Sequence, residues 1–153
     1  MFDINARGAL PDPETDSRFY SGATAKRLVA FFIDVVLAFG LGLIAAVVLG
    51  VLTLGVVFLL AIPVMAAVDF LYRWAAIARW SATPGMAMLG LELRRRDGER
   101  LDAFDAFAHT GLYYILVATG VGQLVSIALM VISPMGRGVH DTLIGTALIN
   151  RPG

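Results

Sequence analysis

The sequence predicts an all-α integral membrane protein with three transmembrane helices and a small surface β-hairpin in the loop after the second helix. Of its 153 residues, 58% are hydrophobic and 16% are charged, with a mean hydropathy of +0.78. Soluble domains are only about half apolar and about a quarter charged. From Leu28 to Val68 the only ionisable side chain is Asp34. As one helix this run would be about 60 Å long, twice the thickness of a bilayer core, so it must fold back on itself.

The first two helices are predicted near residues 25–49 and 54–76, separated by the glycine-flanked stretch 50–55. A connection this short makes the two helices antiparallel. Pro63 falls inside the second helix, where a kink is tolerated if neighbouring helices re-satisfy the freed backbone group. Residues 1–22 form a polar, acidic tail without the apolar core of a secretory signal, and we expect this tail to be loosely ordered and retained.

The remaining elements follow a polar segment at residues 77–103. Within it, Leu91 and Leu93 alternate with charged residues, and Asp97-Gly98 is a dipeptide favoured in two-residue turns, which predicts the hairpin. A third helix is predicted near residues 104–133. The apolar stretch 143–149 is too short to span and is expected to be a strand or an interfacial piece. The membrane domain is therefore placed at residues 23–150, with a short C-terminal end at residues 151–153.

Basic residues predict which side of the membrane each loop occupies. With three crossings, ten of the twelve lie on one face, which should be cytoplasmic: Arg7, Arg18, Lys26, Arg27, Arg73, Arg79, Arg94, Arg95, Arg96 and Arg100. This predicts a multi-pass protein of the inner (plasma) membrane with a cytoplasmic N-terminus. In an alternative arrangement, the glycine-containing stretch 119–122 breaks the third helix into an interfacial helix and a re-entrant one. The C-terminus then returns to the cytoplasm.

Asp34 is the most informative polar residue, because it lies roughly 12 Å below the interface, where a carboxylate needs a polar partner or a wet cavity. Arg27 lies seven residues earlier on the same helix face, too far for easy direct contact. A bridging water or a group from another segment is expected between them. Two hypotheses stand equally: an ion- or proton-linked site, or a polar clamp that holds helices together.

Two other polar groups are candidates for the same network. Asp69 is followed at i+4 by Arg73, which predicts an interfacial ion pair; the alternative is that Asp69 turns toward Asp34 to form a cation site. His140 and Asp141, next to Arg137, predict a loop hydrogen-bond network. Because two ligands without a third do not predict a metal site, no metal and no cofactor are expected.

Small residues recur every four positions in the first and third helices and predict close helix packing. They are Ala38, Gly42, Ala46 and Gly50, then Ala118, Gly122 and Ser126. His109, near the start of the third helix, is expected to be interfacial. The run Arg94–Arg96 with Arg100 fits ordinary positive-inside topology, with anionic lipid binding as the alternative. A net charge of zero gives no indication of nucleic-acid binding, and no catalytic motif is present, so an enzyme is not expected.

Over residues 22–150 the pattern resembles the RDD family of small membrane proteins, named for an arginine and two aspartates. AKRLVAFFID contains Arg27 and Asp34, SPMGRGVHDTLIGTALI contains Asp141, and TPGMAMLGLELRRRDGERL is similar to the family's stretch after the second helix. The chain departs from the family pattern at two positions. Met86 stands where such proteins usually have a lysine, and His109 stands where an arginine often opens the last helical region. Both changes remove positive charge.

The resemblance implies a membrane protein with Arg27, Asp34 and Asp141 acting as a unit, and a transport role has been suggested for the family. Our preferred expectation is a non-catalytic accessory or assembly subunit of a larger membrane complex. The alternative is an ion- or proton-coupled transport protein that works as an oligomer, with Asp34 as the titrating group. The expected partners are the lipid bilayer and other membrane subunits or further copies of the chain.

Overall fold

The computed structural model describes residues 9–152, in which the two longest helices are the apolar ones. Helix α1 spans Ala23–Leu52 and helix α2 spans Ala61–Trp80, with a 3₁₀ turn at Val56–Leu60 between them. Together with their adjoining turns, both are long and apolar enough to cross a membrane. Pro63 lies in the first turn of α2, where backbone N–H groups have no helical partner, so it requires no kink inside the helix.

The turn between the two helices lies within the predicted break at residues 50–55. Leu54 and Gly55 both have positive φ angles, 51° and 88°. Gly55 N also donates a hydrogen bond to Gly50 O at 2.7 Å, which closes the end of α1. The sharp reversal lets α2 run back along α1.

Small residues form the buried face of α1. Ala38, Gly42, Ala46 and Gly50 are all buried, one helical turn apart. A Cβ atom on Gly42 would lie 3.4 Å from Met65, and one on Gly50 would lie 2.6 Å from the Phe58 ring. This face is therefore used for packing within the chain, while the large apolar side chains of both helices point outward.

A short helix, α3 (Pro84–Met88), and a strand, β1 (Leu91–Arg95), follow α2. Thr83 caps α3 by accepting a hydrogen bond from Met86 N at 3.3 Å, and Pro84 occupies the first helical position, as expected for a helix start. Helix α4 (Ala103–Thr119) begins after Asp102, whose side chain accepts from Asp105 N at 2.8 Å. Aromatic rings of Phe70 and Trp74 on α2 pack edge to face on Phe107 of α4.

The third apolar stretch is not one straight helix. Helix α4 ends at Thr119, α5 spans Val121–Ile132, and the two are bent by 116°. Gly120 lies between them with a φ of 64°, a backbone conformation that favours glycine. The continuous helix predicted at residues 104–133 is therefore corrected to a bent pair, with the break at the alternative site recognised in the sequence.

The strand β1 pairs with a distant segment, not with its neighbour. It forms an antiparallel two-stranded sheet with β2 (Thr146–Asn150), in the register Leu91 to Asn150 through Arg95 to Thr146. A turn does form at Asp97-Gly98, but only one bridge follows it, between Arg94 and Arg100. The predicted local hairpin is therefore wrong in its partner. The apolar β2, expected to be a strand or an interfacial piece, is almost wholly buried and makes the better partner.

The two faces of this sheet contact different parts of the chain. Leu91, Leu93 and Leu148 join a core with residues of α1, α2 and α3. On the opposite face, Ala147 and Ile149 pack against Phe19 and Tyr20. The sheet thus fastens the N-terminal segment to the ends of the helices.

Residues 9–21 are consequently ordered, which corrects the expectation of a loose tail for this part of the chain. Leu10 N donates to Arg96 O at 3.1 Å, and the Tyr20 hydroxyl donates to Pro11 O at 2.8 Å. The cause is burial of the Phe19 and Tyr20 rings. Residues 1–8 of the predicted tail, and residue 153, lie outside the described residues.

Candidate functional site

Asp34 lies at the centre of the polar residues of α1, and its carboxylate is 1% exposed. Oδ1 accepts hydrogen bonds from the Tyr72 hydroxyl and from Gly85 N, each at 2.8 Å, and Oδ2 accepts from Thr83 Oγ1 at 2.5 Å. These donors come from α2 and from the start of α3. Asp34 therefore joins three helices, and its charge faces protein groups, as expected for a carboxylate in an apolar helix.

Gly85 is required for this arrangement because α1 and α3 touch there. A Cβ atom at residue 85 would lie 2.4 Å from Ala30 O and 2.9 Å from the Asp34 carboxylate. Only glycine permits the backbone N–H to approach the carboxylate this closely.

Arg27 does not pair with Asp34; it pairs with Asp141. Nη1 lies 2.5 Å from Oδ2 and Nη2 lies 3.2 Å from Oδ1 of the carboxylate, a two-pronged contact. Asp141 is in α6 (Val139–Ile144), which follows α5 and an irregular segment. The contact places α6 beside the start of α1, so the second aspartate approaches the arginine from the far end of the sequence.

Asp141 is fully buried and accepts further hydrogen bonds. Gly138 N donates to Oδ2 at 3.0 Å, and His109 Nε2 lies 3.1 Å from Oδ1. Burial alone would raise the pKa of Asp141, but the Arg27 guanidinium and the His109 hydrogen bond together hold that pKa well below its usual range. Asp141 is therefore a stable anion at neutral pH.

His140 lies beside the same guanidinium. Arg27 Nη2 lies 2.8 Å from His140 Nε2, and because a guanidinium only donates, Nε2 must accept. The ring proton of His140 is then on Nδ1, 3.4 Å from Ser126 Oγ. Burial lowers the pKa of His140 from 6.5 to about 3, against the opposing attraction of Asp141. His140 is thus a neutral acceptor and carries no charge.

Three side chains meet the elementary geometry of a metal site: His109, His140 and Asp141, with ligand atoms within 4.8 Å of one another. The arrangement does not favour a metal, because Arg27 already donates to both carboxylate oxygens and to His140 Nε2. A cation would have to displace a guanidinium from its place. His140 and Asp141 accept hydrogen bonds from Arg27, and His109 donates to Asp141.

Asp69 is in a separate polar group on α2. Arg73 Nε lies 3.1 and 3.2 Å from its two oxygens, and the Tyr114 hydroxyl of α4 also donates to it. The Arg73 guanidinium lies over the Tyr113 ring, 5.3 Å from the ring centre. In the described part of the chain, Asp69 thus contacts Arg73 and Tyr114, and not Asp34.

A cavity of about 70 Å³ is lined by side chains from the three polar groups, those around Asp34, Asp69 and Asp141. Its walls include Asp34, Arg27, His140, Arg73 and Tyr113. A space of this size with polar walls suits water. Asp34 and Arg27 both line it, and the bridging group expected between them stays a prediction.

The side chains around Asp34, Asp69 and Asp141 together form the polar core of the chain. A model of the RDD family matches residues 22–145, which includes all of them. The chain belongs to the RDD family. Comparison with curated proteins and with solved structures gives no match.

Both departures of this RDD protein from the usual pattern lie beside its buried aspartates. Met86 is buried and lines the cavity next to Asp34. The interfacial depth expected of His109 stays a prediction, but its side chain is buried and contacts Asp141. The bend at Gly120 explains this, because it lets α6 pack against α4.

Several partners of the buried carboxylates in this RDD protein could not be assigned from the sequence. They are Tyr72, Thr83, Gly85, His109 and Tyr114. Thr83 and Gly85 had a usable signal, since Thr-Pro-Gly is a helix start and offers a hydroxyl and free backbone N–H groups. The tyrosines gave none, because their spacing fits an apolar helix equally well.

The predicted packing residues of the third stretch have different environments. Ser126 is buried and accepts a hydrogen bond from Val139 N at 3.1 Å, so it joins α5 to α6. Gly122 lies against Leu116 and Thr119 at the bend. Ala118 is exposed on the outer surface.

Proposed function

We propose that this RDD protein is a non-catalytic accessory or assembly subunit of a larger membrane complex. The observation that carries the proposal is the closed character of its polar core. Asp34 is held by three donors and Asp141 by a guanidinium, all from the same chain. Such a core fixes how the helices meet.

The arrangement we infer in the membrane has two spanning helices and a re-entrant pair. Helices α1 and α2 cross, whereas α4 and α5 enter and return because of the 116° bend. The Arg27–Asp141 contact and the β1–β2 pairing both favour a location of α6 on the side of the membrane where α1 begins. Both ends of the chain would then be cytoplasmic in the inner (plasma) membrane, where most basic residues also lie.

The surface of the helices suits association with other membrane proteins. Leu59, in the 3₁₀ turn before α2, and Ile62, in the first turn of α2, are 86% and 83% exposed. At membrane depth these side chains face lipid or another protein, not water. Two spans and a bent pair are also few helices to enclose a continuous path. Partner subunits or further copies of this chain would cover these faces and supply the additional helices that a path across the membrane needs.

Affinity purification from native membranes in mild detergent tests the proposal. We expect a defined partner, or a second copy of the chain, to co-purify in fixed stoichiometry. Replacing Ile62 by Trp on the exposed face should reduce recovery of that partner, whereas Arg96→Gln outside the helices should not. Purification as a stable monomer from every extraction condition would overturn the proposal.

A second candidate, ion- or proton-coupled transport by an oligomer, is favoured by one specific observation. Asp34 borders the cavity, and no cationic side chain described here lies within ion-pair distance of its carboxylate. A small cation or a proton would supply the missing charge. In proteoliposomes, Asp34→Asn should abolish flux, with Asp97→Asn as the matched control. Equal flux through both variants and the wild type would exclude this function.

A further inference from the structure

The sheet face that carries Ala147 and Ile149 also holds one buried carboxylate, with an excess of positive charge around it. Glu92 of β1 is 0% exposed, and three arginines surround it. Arg94 pairs with Oε1, its Nε at 2.6 Å, and also donates to Gly98 O. One carboxylate against three guanidiniums leaves two positive charges in excess at this place.

The second oxygen of Glu92 holds its two arginines only loosely. Arg100 Nη2 and Arg151 Nε each lie 3.6 Å from Oε2, beyond hydrogen-bond length. Among the described residues, Glu92 Oε2 accepts no hydrogen bond. The side chains of Arg100 and Arg151 are 59% and 44% exposed, so both guanidiniums keep free donors that face solvent.

The backbone fixes the positions of these two arginines, although they come from distant parts of the sequence. Arg100 forms the bridge opposite Arg94, and Arg151 N donates to Gly90 O at 2.7 Å just beyond the end of the β1–β2 pairing. Since both approach the same oxygen, their nearest nitrogens lie no more than twice 3.6 Å apart. One phosphate group fits between the two arginines at that separation. It would accept one charge-assisted hydrogen bond of about 2.8 Å from each of them.

We propose that Arg100 and Arg151, held at the edge of Glu92, form a binding site for a phosphate group. Guanidinium groups match phosphate oxygens in shape as well as charge, and one carboxylate oxygen 3.6 Å from both does not neutralise the two forks. The phosphate comes from an anionic lipid headgroup or from a soluble phosphate compound. This site is separate from the Asp34 and Asp141 core and does not depend on the function proposed above.

Binding of inorganic phosphate to the full chain in neutral detergent tests the proposal, with ionic strength kept constant by chloride. We expect saturable binding by calorimetry that weakens at least tenfold in Arg100→Gln and in Arg151→Gln, because each removes a charge-assisted hydrogen bond. Arg96→Gln is the matched control. It removes the same charge from an exposed arginine near the sheet and should change the affinity less than twofold.

A second arm identifies the source of the phosphate group. The chain is placed in nanodiscs of phosphatidylcholine alone or with phosphatidylglycerol, and inorganic phosphate is titrated again. Weaker binding in the anionic nanodiscs supports the site with a lipid headgroup as its ligand, whereas equal binding supports it with a soluble ligand. Absence of phosphate binding to the wild type, or an equal loss in Arg96→Gln, would overturn the proposal.

Discussion

Arg27 and Asp141, 114 residues apart in sequence, form a two-pronged ion pair that joins the start of α1 to α6. The carboxylate is fully buried and the arginine side chain is 11% exposed. The pair therefore contributes to stability through the high cost of leaving either charge alone.

Breaking this pair on one side should destabilise the protein strongly. We expect Arg27→Gln to lower the free energy of unfolding by about 3–5 kcal/mol, because Asp141 would keep a buried charge without a counter-ion. Unfolding in detergent, followed by circular dichroism, measures the change. The double variant Arg27→Met with Asp141→Leu should lose less than Arg27→Gln, since it removes both charges. A larger loss in the double variant would contradict this account.

Gly85 should tolerate no side chain. In Gly85→Ala the new Cβ atom would overlap Ala30 O, at 2.4 Å, so α3 must move away from α1. We expect a lower melting temperature and loss of the Gly85 hydrogen bond to Asp34. Gly111→Ala in α4 is the control, because a Cβ atom there meets nothing within 4 Å. That change should be neutral or stabilising by up to about 1 kcal/mol.

The Thr83 hydroxyl makes two hydrogen bonds, one as a donor and one as an acceptor. It donates to Asp34 and accepts from Met86 N at the start of α3. Thr83→Val should destabilise by about 1–3 kcal/mol, because a buried carboxylate oxygen loses its donor and the helix loses its cap. Thr83→Ser keeps the hydroxyl and should retain most of the stability in the same unfolding assay. Equal losses in the two variants would show that the methyl group is what matters.

Acid should destabilise the protein through His140. An unfolded histidine takes up a proton near pH 6.5, whereas burial keeps the pKa of folded His140 at about 3. Between these values the unfolded chain binds more protons, so stability rises with pH and falls on acidification. The lowered pKa of Asp141 adds a loss in the same direction at pH values below 3.8.

The measurement is the melting temperature as a function of pH. His140→Asn cannot take up this proton and still offers an acceptor to Arg27, so its curve should be flatter between pH 6 and about 4.5. Asp97→Asn, which changes an exposed carboxylate outside the core, should keep the slope of the wild type. Parallel curves for His140→Asn and the wild type would contradict the assignment.

Local patterns in the sequence were sufficient to predict the first two helices and the turn between them. Asp34 stands out because nothing else ionisable lies between Leu28 and Val68, and the four-residue repeat of Ala38 and Gly42 marks the buried face. These signals lie within one or two turns of helix. Because residues four apart lie on the same helix face, such local signals are enough to predict which face is buried.

The partners of those residues could not be predicted in the same way. Asp34 is held by Thr83 and Gly85, and Arg27 by Asp141, contacts that depend on how distant segments meet. The strand β1 carried a convincing local turn at Asp97-Gly98, yet it pairs with residues 146–150 because that segment offers more apolar surface to bury. Competition between partners is decided by burial across the whole fold.

The long separation of Arg27 and Asp141 also has a consequence for biosynthesis. Ribosomes add about 5–20 residues per second, so the arginine waits roughly 6–23 s for its carboxylate to be made. During that interval α1 is already long enough to enter the bilayer, and its guanidinium must rest among headgroups or on a chaperone. Closure of the polar core is thus a late step in assembly. A chain that ends before α6 would be inserted in the membrane without the Arg27–Asp141 pair, as a substrate for quality-control proteases.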